Sequence, residues 1–169
     1  MSQWFLTYGF ADVGDRLIVG AVPLDGSDVA TVARLGVGRV LNLVEDEEYE
    51  RMQPGSRAVV ADALARAGIE ERRVSVVDFG HLPVAALEQA TATVVAWLDE
   101  GHVVYVHCRA GWQRSASVAA GVVAIREGVE IDEALRRVGT RKPSANPLAH
   151  QRDDLRRWWT TRATSAPPE

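Results

Sequence analysis

Residues 102–107, HVVYVH, constrain this chain more than any other stretch, because neither alternate set of side chains in them makes a polar face. A run this short with no wet side is a strand covered on both faces, which a sheet provides only near its centre. The flanking segments agree. RLIVGAVP (16–23), RVLNLV (39–44) and RRVSVVDF (72–79) read as strands. They alternate with helical DGSDVATVARLGVG (25–38), PGSRAVVADALARAG (54–68) and PVAALEQATATVVAWLDEG (83–101). Ser27 or Asp25 is expected to cap the first of these helices and Ser56 the second, with Gly36, Gly68 and Gly101 as stops and Pro83 in a first turn. Further helices are expected over 115–127, 131–138 and 147–159. Alternating strands and helices predict an α/β fold with a mostly parallel central sheet flanked by helices. The 169 residues fit one such domain, over 1–160, followed by a disordered tail at 161–169.

In such sheets ligands gather at the carboxyl ends of the strands. Cys108, the only cysteine, sits at that end of the most apolar strand. A single cysteine excludes an internal disulfide and a cysteine-rich zinc site. The net charge of −4 argues against a general nucleic-acid binder. Charge is uneven all the same: residues 45–50, EDEEYE, are acidic, while residues 136–162 hold eight Arg or Lys against two Asp. That basic stretch reads as solvated helix faces, with peripheral contact to an anionic membrane as the alternative. No leader-like start and no apolar run near the roughly 20 residues of a membrane span are seen, so an intracellular, cytoplasmic setting is expected. The sequence sets no oligomeric state.

The loop from Cys108 to Arg114 is short and contains Ala110 and Gly111. Its backbone N–H groups can turn inward as an anion cradle, and the helix that follows adds its positive end. Arg114 adds a planar fork for two phosphate oxygens. The same positive field favours a thiolate at Cys108, so nucleophile and anion site coincide, as attack on phosphorus requires. The competing reading of Cys108 is a small buried core residue.

The stretch HCRAGWQRS (107–115) carries His, Cys, Gly, Arg and Ser at the spacing His-Cys-X2-Gly-X2-Arg-Ser/Thr. In this it resembles the cysteine-dependent protein tyrosine phosphatase superfamily. LIVGAVP and LGVGRVLNLVEDEEY resemble the N-terminal half of its small dual-specificity branch; the Gly-Ala-x-Pro and Glu-Glu-Tyr pieces are similar to the branch acting on phosphatidylglycerophosphate. The resemblance implies catalytic Cys108 and Arg114, and a phosphate site formed by Arg109, Ala110, Gly111, Trp112, Gln113 and Arg114. It also implies a supporting His107 bonded around the loop, a Ser115 hydroxyl that helps the thiolate leave, and no metal or cofactor.

A leaving oxygen needs a proton, and the resemblance places the acid about 30 residues upstream of the cysteine; Asp78 fits, since 108 − 78 = 30. Asp78 as a turn-bonding strand end is the other reading. Asp99, on a helix end behind the sheet, is a poorer candidate. His81 lies near enough to line the rim. Trp112 either stacks on substrate or covers the loop. The expected activity is hydrolysis of phosphoserine, phosphothreonine and phosphotyrosine in proteins. The alternatives are a phospholipid phosphatase using the same chemistry and a phosphate-binding module without turnover.

Overall fold

The expected central strand, β5 (Val103–His107), lies in the middle of a five-stranded sheet in a computed structural model that describes residues 1–165. The order is β1 (Phe10–Gly14), β2 (Leu17–Gly20), β5, β3 (Val37–Asn42), β4 (Glu70–Arg73). β2, β3 and β4 run parallel with β5, and only β1 is antiparallel, paired with β2. The register places Gly20 and Asn42 on either side of His107, so three strands end together where Cys108 begins.

Alternation along β5 divides the interior in two. Val104 and Val106 face one core with Leu17, Val19 and Leu41. It is closed by α5 (Val84–Asp99), α6 (Arg114–Glu127), α7 (Ile131–Arg141) and α8 (Ala149–Ser165). Tyr105 faces the other core with Ile18 and Val40, under Phe5 of α1 (Gln3–Tyr8), Val32 of α2 (Gly26–Arg34) and Leu64 of α4 (Ser56–Arg66). A short helix, α3 (Asp46–Met52), completes the set. Among the described residues, no helix is long and apolar enough to cross a membrane.

Several boundaries differ from expectation. The strand expected at 72–79 is β4, Glu70–Arg73. After Arg73 the chain still bonds to the β3 end, through Val74 N–H to Asn42 O and Val76 N–H to Leu43 O. It then peels away, carrying Asp78 to the carboxyl end of the sheet. Asp25 caps α2, accepting from Asp28 N–H, but α4 is capped by Gly55 rather than Ser56, whose buried hydroxyl has no partner among the described residues. α8 continues through Ser165, so Thr161–Ser165 are helical rather than tail; residues 166–169 lie outside the described residues. α1, β1 and α3 were not expected at all.

Candidate active site

Cys108 is 3 % exposed at the turn between β5 and α6. Its Sγ lies 3.2 Å from Ser115 Oγ, and the backbone N–H groups of Gln113 and Ser115 also bond to it. Burial alone pushes a thiol pKa up. Here the Arg114 charge, the Ser115 hydroxyl and those two N–H groups outweigh it, and the Cys108 pKa falls below its ordinary value. Behind it, His107 Nδ1 is 3.2 Å from the Cys108 carbonyl. A carbonyl only accepts, so Nδ1 carries the proton, and Nε2 is buried without a partner among the described residues. Burial holds the His107 pKa down at about 3, so the ring is a neutral brace rather than a titrating base.

Two contacts shape the loop. Gly111 has φ +74°, and a Cβ there would sit 2.6 Å from the Gly20 carbonyl carbon. Both the backbone conformation and the space therefore demand glycine. The Arg109 carbonyl accepts from Val22 N–H at 3.1 Å and from Trp4 Nε1 at 2.8 Å, which ties the loop to the exit of β2 and to α1.

Arg114, 1 % exposed, is held by a residue that sequence reasoning missed. Both its terminal nitrogens donate to Glu48 at 2.8 Å, and Nη1 also donates to Val76 O at 2.8 Å. Glu48 is buried too, and its Oε2 accepts from Glu45 N–H at 3.0 Å in a capping box at the start of α3. α3 is in turn pinned by Asn42, whose Nδ2 donates to the Tyr49 hydroxyl at 2.8 Å. Arg114 Nε is buried with no acceptor among the described residues. Glu48 hid inside EDEEYE because an acidic run reads as a solvated face; its position three residues after Glu45, in capping-box spacing, was the available signal.

Asp78 arrives from the opposite side. Its Oδ1 is 2.9 Å from Arg114 Nη2 and its Oδ2 is 3.4 Å from Arg109 Nη1. Trp4, Tyr8, Asp78, Phe79, Cys108, Arg109, Ala110, Trp112 and Gln113 surround one cleft of about 270 Å³. Trp112 leans edge-on against Tyr8, centroids 5.3 Å apart, so it covers the loop and lines the cleft at once. Gln113 is the N-cap of α6. A second cleft of about 750 Å³ shares Trp4, Asp78, Phe79 and Arg109 with the first and extends to Leu24, Arg51 and Met52. Asp99 pairs with Arg126 and stands apart from this constellation. His81 does not line either cleft; its Nδ1 faces Asp154 at 3.0 Å. Trp4 and Tyr8 were also missed, since their helix has only six residues and no long apolar period.

The arrangement places a thiol with a lowered pKa inside inward-pointing amides, closed by a fixed arginine and faced by a carboxyl group. Comparison with known proteins bears on the family. Residues 24–161 match the family described as "Dual specificity phosphatase, catalytic domain". Mouse dual specificity phosphatase 28 is 30 % identical over 139 residues, covering 82 % of this chain and 76 % of that one. Mouse phosphatidylglycerophosphatase and protein-tyrosine phosphatase 1 is 29 % identical over 109 residues, 64 % of this chain and 54 % of that one. The chain thus spans about half the length of that relative. The crystal structure of Tk-PTP in the active form aligns with a TM-score of 0.76 at 26 % identity, over 88 % of this chain and 95 % of that one. The chain therefore belongs to the dual specificity phosphatase catalytic-domain family, within the cysteine-dependent protein tyrosine phosphatase superfamily.

Proposed function

We propose that the protein hydrolyses phosphomonoesters on protein serine, threonine and tyrosine side chains through a cysteinyl-phosphate. The observation that carries this reading is the coincidence of Cys108, with its lowered pKa, and the buried Arg114 fork at one loop. Cys108 thiolate attacks phosphorus, the bond from phosphorus to the ester oxygen breaks, and Asp78 gives that oxygen its proton. Asp78, now a carboxylate, takes a proton from water as the water attacks phosphorus. The phosphorus–sulfur bond breaks, Ser115 donates to the departing thiolate, and alcohol and inorganic phosphate leave. Arg114 and the loop amides hold the equatorial oxygens throughout, while the Gln113 and Ser115 amides bear on the sulfur. A reactive thiolate suits the reducing interior of a cell.

The aromatic walls made by Trp4, Tyr8, Phe79 and Trp112 suit a phosphorylated side chain entering the smaller cleft. A second reading, phospholipid headgroup hydrolysis, is favoured by the adjoining larger cleft, which Arg51 lines. A relative that carries phosphatidylglycerophosphatase in its name supports it as well.

The test is turnover of p-nitrophenyl phosphate, phosphopeptides and vesicles containing phosphatidylglycerophosphate, by wild type and by Cys108→Ser. Wild type is expected to release phosphate from the peptides and from the aryl ester, and Cys108→Ser to release none while still binding vanadate. Turnover confined to vesicles would select the second reading. Turnover of the aryl ester by Cys108→Ser at the wild-type rate would remove Cys108 as nucleophile.

A further inference from the structure

We infer that His150, Gln151 and Asp154, in the first turns of α8, are positioning residues that hold Asp78 in place for proton transfer; the inference rests on the phosphatase reading. The loop that carries Asp78 is anchored in the core at its ends by Val76 and Leu82, but between them it has little apolar packing, since Val77 and Phe79 are 59 % and 60 % exposed. It is also strained, because Phe79, directly after Asp78, has φ +59°. Something outside the loop must maintain that conformation.

α8 supplies it through hydrogen bonds. His150 Nε2 donates to Phe79 O at 2.9 Å and to Gly80 O at 3.2 Å. Gln151 Nε2 donates to Gly80 O at 3.0 Å, while its Oε1 accepts from Leu148 N–H at 3.1 Å, which fixes the amide orientation. Asp154 Oδ2 accepts from Leu82 N–H at 2.8 Å and from His81 Nδ1 at 3.0 Å. Gln151 and Asp154 are 0 % and 6 % exposed, and α8 is rooted in the core by Leu155 and Trp158, both 0 % exposed. Three side chains of one helix thus satisfy backbone groups at Phe79, Gly80 and Leu82.

Substrate binding makes this rear attachment decisive. The front of the loop is held by Asp78 itself, bonded to Arg114 and Arg109. A phosphate seated on Arg114 takes over the first of those bonds. In the reacting complex Asp78 then keeps the Arg109 contact and the ends of its loop at Val76 and Leu82, and the α8 contacts are what hold the strained turn between them. A misplaced acid matters only where the leaving group needs its proton.

The experiment uses His150→Phe, which keeps a ring beside His81 but loses the donor, and His150→Gln, which restores one. kcat/KM is measured for p-nitrophenyl phosphate, phenyl phosphate and a phosphoserine peptide. This ratio reports steps only up to departure of the first leaving group. His150→Phe should lose about tenfold to a hundredfold on the poorer leaving groups and no more than about twofold on p-nitrophenyl phosphate. His150→Gln should recover most of the loss. Vanadate inhibition and alkylation of Cys108 by iodoacetate should match wild type. A loss equal across leaving groups, no loss on any, or no recovery with His150→Gln overturns the inference. If His150→Phe does not fold, Gln151→Met is judged by the same pattern. Wild type inactive on all three esters overturns the phosphatase reading beneath it, which is a distinct result.

Discussion

Glu48 and Arg114 have side chains only 3 % and 1 % exposed, so each charge depends on the other. Removing Glu48 leaves the buried Arg114 with only the partly exposed Asp78 as a counter-charge, and losing one partner of a buried pair costs up to about 3–5 kcal/mol. Glu48→Ala should therefore lower the urea midpoint strongly. Glu48→Gln, which keeps the shape, should fold, yet lose about tenfold or more in kcat/KM as the guanidinium is released from its fixed angle. His107 makes a pH prediction. Its pKa is about 3 when folded and 6.5 ordinarily. Above 6.5 both states are neutral there, and His107 adds no pH dependence. As pH falls from 6.5 towards 3, only the unfolded chain takes up the proton. Stability is then lost at up to about 1.4 kcal/mol per pH unit. His107→Asn should flatten the urea midpoint against pH between 6.5 and 5. An unchanged slope would mean that the ring is not buried neutral. At this scale the sequence foretold which residues meet: spacing put Cys108, Arg114 and Ser115 at one loop, and the need for an acid put Asp78 across from them. Glu48 was not readable, because its role depends on burial against Arg114, 66 residues away.

At the scale of elements, Gly111 joins the loop to β2. Gly111→Ala adds a Cβ at 2.6 Å from the Gly20 carbonyl carbon and strains a φ of +74°. The loop must shift by tenths of an ångström or more, enough to spoil amides aimed at one sulfur. The expected result is loss of nearly all turnover with a folded core, checked by far-UV circular dichroism beside the p-nitrophenyl phosphate rate. A near-normal rate would show that the loop tolerates the displacement. Elements with a strong period were readable: α5, α6 and β5 lie within a residue or two of expectation. The strand drawn over 72–79 was too long because Val74 and Val76 alternate like strand residues and remain bonded to the β3 end. What ends β4 is the sheet around it, since β3 stops at Asn42 and offers no further partner strand. Likewise α1 gains its place by burying Phe5 in the core and docking Trp4 on the loop rather than from its own six residues, too few to be stable alone.

At the scale of the whole molecule, the parallel sheet collects Gly20, Asn42 and His107 at one edge, and the clefts open there. The α/β alternation foretold that edge; the wall made by Trp4 and Tyr8 comes from α1, which it did not foretell. Trp4→Ala removes a wall, the hydrogen bond to the Arg109 carbonyl and the ring over which the Arg109 guanidinium lies at 5.1 Å. KM for an aryl phosphate should rise several-fold, by about 1 kcal/mol of lost contact, while the rate of Cys108 alkylation changes little. The bond from Trp4 to Arg109 also spans 105 residues of chain. Closing so long a span is among the slower steps of folding, because its entropy is lost before any contact compensates. The α1 segment can settle early through Phe5 and the bonds from Ser2 to Asp28, but its bond to the loop waits for the second half of the chain. In refolding from urea, ellipticity should return ahead of turnover, with the catalytic cleft maturing on a core already formed. Trp4→Phe, which cannot make the bond, should widen that lag.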